Sequence, residues 1–171
     1  MAERNGLVTL KGNPVTLEGA GITVGQKAPA FTVTANDMSA KTLADYSGKT
    51  LVLSVVPSLD TPICDLQTKR FNAEAAKLGS NVAILTISMD LPMAQKRWCG
   101  ANDATNVVTL SDFKDRSFAQ AFGLRIKQLG LLARALYVID KNGVIQYEQI
   151  VPEVAQEPNY DDVLAAAAKA S

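Results

Sequence analysis

The chain has 171 residues, 47% hydrophobic and 20% charged, which suits one globular domain, residues 1 to 171, with a core of its own. Lys and Arg together number 17, as do Asp and Glu, and no run of like charge is long enough to make a nucleic-acid or membrane-surface stripe. Two cysteines and no histidine exclude a self-contained structural zinc site, and with it any serine or cysteine catalysis that relies on a histidine base.

In chain order, Leu7 to Leu10 and Val15 to Leu17 are β-prone runs around Lys11-Gly12-Asn13-Pro14, which predicts an N-terminal hairpin over about 7 to 18. Phe31 to Thr34 alternates like a strand, and Leu43 to Tyr46 suits a short helical turn. Leu51 to Val56 is apolar enough for a strand buried on both faces, and Pro57 ends it. A helix over about 62 to 78 follows, then a strand at Val82 to Met89 and a helix over about Pro92 to Trp98. Next come a strand at Val107 to Leu110, a helix at Ser117 to Phe122 and a long apolar strand at Leu131 to Ile139. Asn142-Gly143 predicts a hairpin into Val144 to Val151, and Tyr160 to Ala170 is an alanine-rich final helix. Strands alternating with helices, then a hairpin and a last helix, predict an α/β sandwich with a mixed sheet. The first nineteen residues hold no apolar stretch of signal-peptide length and no segment reaches the roughly 20 residues of a spanning helix, so a soluble cytoplasmic protein is expected.

Without histidine, a reactive thiol must be activated by a helix terminus, a cation or hydrogen bonds. Thr61 is a favoured N-cap and Pro62 a favoured first helical residue, which places Cys64 in a first helical turn, near unpaired N–H groups and the positive end of the macrodipole. The dipole supplies up to about 2 kcal/mol. Making an ordinary thiol predominantly thiolate at neutral pH takes about 3 kcal/mol, so a further positive group is needed. Arg134 interrupts the apolar run from Leu131 to Ile139 and is the best source, because a guanidinium there needs an anion or an open cleft. Three plainer readings compete: Cys64 as a small buried hydrophobe, Arg134 on an edge strand pointing to water, and Thr61 and Pro57 as a mere cap and strand breaker.

Cys99 lies 35 positions after Cys64, near the end of the helix that contains Trp98. The spacing is not the C-x-x-C of a disulfide exchanger, yet a peroxidase needs a second thiol to condense with the sulfenic acid formed on the first. Alternatively Cys99 is a structural thiol and Trp98 a packing residue.

The residues resemble those of bacterial thiol peroxidases, the atypical two-cysteine branch of the peroxiredoxins, over about 7 to 170. Pro57, Thr61 and Cys64 match the general P-x-x-x-T-x-x-C pattern. Gly12-Asn13-Pro14-Val15-Thr16, Pro57-Ser58-Leu59-Asp60-Thr61, Arg70-Phe71-Asn72, Asp90-Leu91-Pro92, Trp98-Cys99-Gly100 and Leu132-Ala133-Arg134-Ala135 match the branch. The resemblance implies a thioredoxin-like fold with an N-terminal hairpin, homodimerisation, hydroperoxide substrates, reduction by thioredoxin and no metal or organic cofactor. It also implies that Cys64 is the peroxidatic thiol, Cys99 the resolving thiol that closes a Cys64 to Cys99 disulfide, Thr61 and Arg134 the residues that orient thiolate and peroxide, and Pro57 the shield of the pocket. Some relatives carry Gly where this chain has Pro62. Two other readings share parts of this pattern: a thioredoxin-type dithiol oxidoreductase, which should carry its two cysteines close together, and a non-catalytic redox sensor.

Overall fold

The computed structural model describes all 171 residues. Its chain opens with β1 (Glu3–Leu10) and β2 (Asn13–Glu18), followed by β3 (Val33–Ala35), β4 (Ala40–Lys41) and a 3-10 turn at Leu43–Tyr46. There follow β5 (Thr50–Val55), α1 (Pro62–Ala75), β6 (Val82–Ser88), α2 (Pro92–Ala101), β7 (Val108–Ser111) and α3 (Ser117–Phe122). The chain ends through β8 (Arg125–Ile126), β9 (Ala135–Ile139), β10 (Ile145–Ile150) and α4 (Tyr160–Ala170).

Seven strands form the main sheet in the order β10-β9-β5-β6-β7-β3-β4. β5, β6 and β7 are parallel, and β9 and β3 flank them antiparallel, so the sheet is mixed. Every residue of β5 and β9 is buried, which is why both read as continuous apolar runs rather than alternating ones. Side chains alternate between faces, and the core is therefore double. Leu51, Leu53, Val55, Leu85, Ile87 and Tyr137 face one cluster with the hairpin and the phenylalanines of α3. Val52, Ile84, Leu136 and Val138 face the other, together with Cys64 and Phe71 of α1, Trp98 of α2 and Val163 and Ala167 of α4.

Several boundaries differ from the sequence reading, each for a local reason. The hairpin starts at Glu3, before its apolar run: Glu3 and Arg4 pair with Glu18 and Leu17, beyond an irregularity between Arg4 and Val8. Its turn holds Lys11 and Gly12 at φ 50° and 80°, the two left-handed positions of a tight two-residue turn. α2 runs three residues past Trp98 and takes Gly100 into its last turn. The predicted strand at Leu131 to Ile139 is β9 from Ala135 only. Leu132 instead bridges Arg125, and the Ala133 N–H donates to the Leu124 carbonyl at 2.8 Å, so Leu131 to Ala133 run beside β8 of the second sheet, β1-β2-β8, while the Arg134 carbonyl already accepts from the Val151 N–H at 3.0 Å.

The N-cap of α3 is Arg116, which takes a left-handed φ of 54° and gives no side-chain cap. Asp112 replaces it, accepting from the N–H groups of Phe118 at 3.0 Å and Ala119 at 2.8 Å. Burial outweighs those two bonds and raises the Asp112 carboxyl to about 6. Native Asp112 thus holds its proton more tightly than the unfolded chain. Its contribution is complete below the ordinary carboxyl value of 3.8 and is lost as pH rises through about 6, a change of roughly 3 kcal/mol. Urea denaturation between pH 4 and 7 should show this loss in the wild type and not in Asp112→Asn; equal pH slopes in both would exclude Asp112 as the source.

Candidate active site

The loop from Pro57 to Thr61 joins the C-terminal end of β5 to α1, and one carboxylate organises it. Asp90, just after β6, accepts from Ser58 Oγ at 2.6 Å, from the Leu59 N–H at 2.8 Å and from Ser88 Oγ at 2.7 Å. The Ser58 carbonyl in turn accepts from the Thr61 N–H at 3.1 Å and from Thr61 Oγ1 at 2.8 Å. Thr61 does hold the N-cap position, with extended φ and ψ, and Pro62 is the first helical residue. Its hydroxyl accepts no cap bond, however, and instead donates its proton to the Ser58 carbonyl. That leaves the oxygen lone pairs of Thr61 on an exposed residue at the helix entrance. Pro57 is buried behind it.

Cys64 is the third residue of α1, in the first turn as the Thr61-Pro62 signal requires, and it is fully buried. Arg134 is 1% exposed, which removes the edge-strand reading of this residue. Its Nη2 donates toward Cys64 Sγ at 3.5 Å and to the Val154 carbonyl at 2.8 Å; Nε reaches the same carbonyl at 3.1 Å, and Nη1 donates to Gln67 Oε1 at 2.9 Å. None of the ion pairs in the protein includes Arg134. A buried guanidinium satisfied by neutral acceptors and a sulfur retains its full charge for whatever anion forms at that sulfur.

Sequence reasoning missed the supports of this arginine. Gln67 lies one turn after Cys64 on the same buried face of α1, and its Nε2 donates to Ser54 Oγ of β5 at 2.8 Å, so the amide is fixed at both ends. A glutamine three residues after the thiol, and so on the same face of the helix, is the signal that could have found it. Val154 has no such signal. Its carbonyl is placed by the hairpin: the Thr9 N–H donates to Pro152 O at 2.7 Å, and the Val154 N–H donates to Thr9 O at 2.9 Å. Glu153, held below the usual carboxylate range by N–H donors of Ala155 and Gly12, ties the hairpin turn to the same segment. The N-terminal strands therefore reach the site through the backbone that holds Arg134.

Cys99 is half-buried in the last turn of α2. Its thiol donates to Thr109 Oγ1 at 3.4 Å, since the Thr109 proton is given to Asn36 Oδ1 at 3.0 Å. Cys64 and Cys99 are not bonded to each other. Both helices nonetheless pack on one face of the sheet, and they touch where Trp98 Nε1 donates to Asp65 Oδ1 at 3.0 Å. A shallow, open depression lined by Leu59, Asp60, Thr61, Pro62, Asp65 and Trp98 lies over the first turn of α1.

The Redoxin family pattern matches residues 23 to 164. The chain is 54% identical to a thiol peroxidase of Bacillus subtilis over 160 residues, covering 94% of this chain and 95% of that protein. It is 55% identical to one of Oceanobacillus iheyensis over 158 residues, covering 92% and 96%. It belongs to the thiol peroxidases of the redoxin family. A thiol peroxidase also suits the solved structures that share the fold: a peroxiredoxin-like protein of Aquifex aeolicus superposes with a TM-score of 0.91 at 41% identity, covering 98% of this chain and 99% of that one. A Chromobacterium violaceum thiol peroxidase gives a TM-score of 0.84 at 17% identity over 95% of each chain, a likeness of fold. The mixed sheet with flanking helices is thus the thioredoxin-like sandwich of the peroxiredoxins.

Proposed function

We propose that this thiol peroxidase reduces hydrogen peroxide and organic hydroperoxides with Cys64 as nucleophile and Cys99 as resolving thiol. The observation that carries the reading is the buried Arg134 guanidinium 3.5 Å from Cys64 Sγ, with no carboxylate paired to it. The Cys64 thiolate attacks the terminal peroxide oxygen, the S–O bond forms as the O–O bond breaks, and the departing oxygen takes a proton from solvent to leave as water or alcohol. Arg134 opposes the charge of the thiolate and of the oxygen that leaves. The Thr61 lone pairs accept from the peroxide O–H and set its approach along the S–O axis, and Pro57 keeps water from the buried side of the pocket.

In the second step Cys99 attacks the sulfenic sulfur of Cys64. The S–S bond forms, the S–O bond breaks, and hydroxide leaves with a proton as water. A dithiol protein, thioredoxin, returns both thiols by exchange, and no metal or organic cofactor takes part. The protein acts as a homodimer of the cytoplasm. No helix in it is long and apolar enough to cross a membrane.

Stopped-flow oxidation of the reduced protein by hydrogen peroxide and by a bulkier organic hydroperoxide tests the reading. The expected result is a reaction far faster than that of free cysteine, ending in one intramolecular disulfide; a rate no greater than that of free cysteine would sink it. Cys99→Ser should complete one oxidation and stall as sulfenic acid, with multiple turnover by thioredoxin lost. Full turnover by this variant would remove Cys99 from the mechanism and leave Cys64 in place.

A further inference from the structure

The residues beside the two cysteines are bonded to each other. Asp65 follows Cys64, Trp98 precedes Cys99, and Trp98 Nε1 donates to Asp65 Oδ1 at 3.0 Å. The two sulfurs are turned elsewhere, Cys64 to Arg134 and Cys99 to Thr109. α1 and α2 follow neighbouring parallel strands, lie on the same face of the sheet and touch through this bond. Cys64 is third in its helix, in the first turn, and Cys99 eighth, in the last turn, so the two thiols sit toward opposite ends of their helices. A disulfide needs Cα atoms within about 7 Å. The first turn of α1, the last turn of α2, or both must unwind, and in doing so they must separate the indole from the carboxylate.

We propose that the Asp65–Trp98 bond is a latch for the second step: it holds the sulfenic acid of Cys64 beside Arg134, and its opening sets the rate at which Cys99 can reach it. The proposal rests on Cys99 as resolving thiol. Three features fit. Trp98 is 6% exposed, so its N–H depends on Asp65 for a partner, and a bond to a carboxylate is stronger than one between neutral groups. Asp65 is also gripped by Lys69 at 2.8 Å from the solvent side, which orients its free oxygen. On the other side of Cys99, Gly100 sits in the last turn of α2, where glycine weakens a helix relative to alanine. A Cβ at Gly100 would meet nothing within 4 Å, so close packing gives no reason for the glycine. One element resists the opening and the other eases it. Asp65 and Trp98 are positioning residues, since neither forms a bond with peroxide or sulfur in the reaction.

With Asp65→Ala as the control that leaves the indole intact, Trp98→Phe keeps a buried aromatic ring and removes the N–H together with part of the indole. It should leave the rate constant of Cys64 oxidation by hydrogen peroxide within about twofold of wild type and raise that of disulfide formation about tenfold, read by acid quench, thiol alkylation and mass spectrometry. Asp65→Ala should also accelerate the disulfide step, and the double variant should be no faster than Trp98→Phe alone, because one bond is being removed twice. Gly100→Ala should slow the same step about threefold by firming the last turn. Less Cys64 sulfinic acid at high peroxide should accompany the faster variants, and more the slower one. Disulfide formation at the wild-type rate in Trp98→Phe and Asp65→Ala would overturn the latch and leave the peroxidase reading intact. A wild type that forms no Cys64–Cys99 disulfide would overturn the resolving role and the latch together.

Discussion

Cys64→Ser should lower peroxide reduction by at least about a thousandfold and leave the fold in place. On the proposed mechanism the sulfur carries the reaction, because a thiol ionises far more readily than a serine hydroxyl and no histidine exists anywhere in the chain to act as base for a hydroxyl. The substitution suits the cavity. Serine is nearly isosteric, and the pocket that encloses Cys64 offers a donor from Arg134, so the hydroxyl is not stranded among the apolar residues around it. A melting temperature close to that of the wild type should accompany the loss of rate. Peroxide consumption with a thiol reductant is the measurement, with Cys99→Ser as the companion. Residual activity of Cys64→Ser within tenfold of wild type would transfer the nucleophile to Cys99, the other thiol of the chain.

The order of strands and helices was legible because the pattern is strong where burial is strong. β5 is buried on both faces and reads as a single apolar run, and α1 announces itself by Thr61-Pro62. The position of Cys64 followed from that start signal alone. Its neighbourhood did not. The approach of Arg134 joins residues 70 positions apart and requires the pairing of β5 with β9, which no local pattern encodes. Read as part of a strand, Arg134 had an edge position open to water as its plainest alternative; in the structure it precedes β9 and is tethered to Gln67 and to the Val154 carbonyl. The Asp90 carboxylate belongs to the same class of hidden contacts. Asp90-Leu91-Pro92 reads as a turn before a helix, and only the parallel pairing of β5 with β6 brings that turn beside the Ser58 loop. Thr61 shows the reverse error: the sequence identified the cap position correctly, but the hydroxyl accepts no cap bond and is turned to donate to the Ser58 carbonyl. Asp112 was invisible as a cap because it stands four residues before the position where caps occur.

Arg134→Met should reduce the rate constant for Cys64 oxidation by about a hundredfold, the scale expected when one donor aimed at developing negative charge is removed from a buried site. Methionine fills much of the same space and removes the cation, so two effects must be separated. The structural effect has opposing parts. The Val154 carbonyl loses two donors and Gln67 Oε1 loses one, which costs about 1 to 3 kcal/mol for each acceptor left bare. Against that, a guanidinium without a carboxylate no longer has to be buried. Stability should therefore fall by less than the bare acceptors alone suggest, while the catalytic effect has nothing to offset it. Arg134→Lys sharpens the distinction. An ammonium keeps the charge but cannot span Val154, Gln67 and Cys64 at once, since the three directions are set by the planar fork of arginine. Lysine should accordingly retain more rate than methionine, about tenfold below wild type, if charge at the sulfur is what Arg134 supplies. Stopped-flow oxidation and thermal melting of both variants decide the matter. A methionine variant that melts early but reacts within threefold of wild type would make Arg134 a strut between α1 and the 152 to 154 segment, with no part in the chemistry of Cys64.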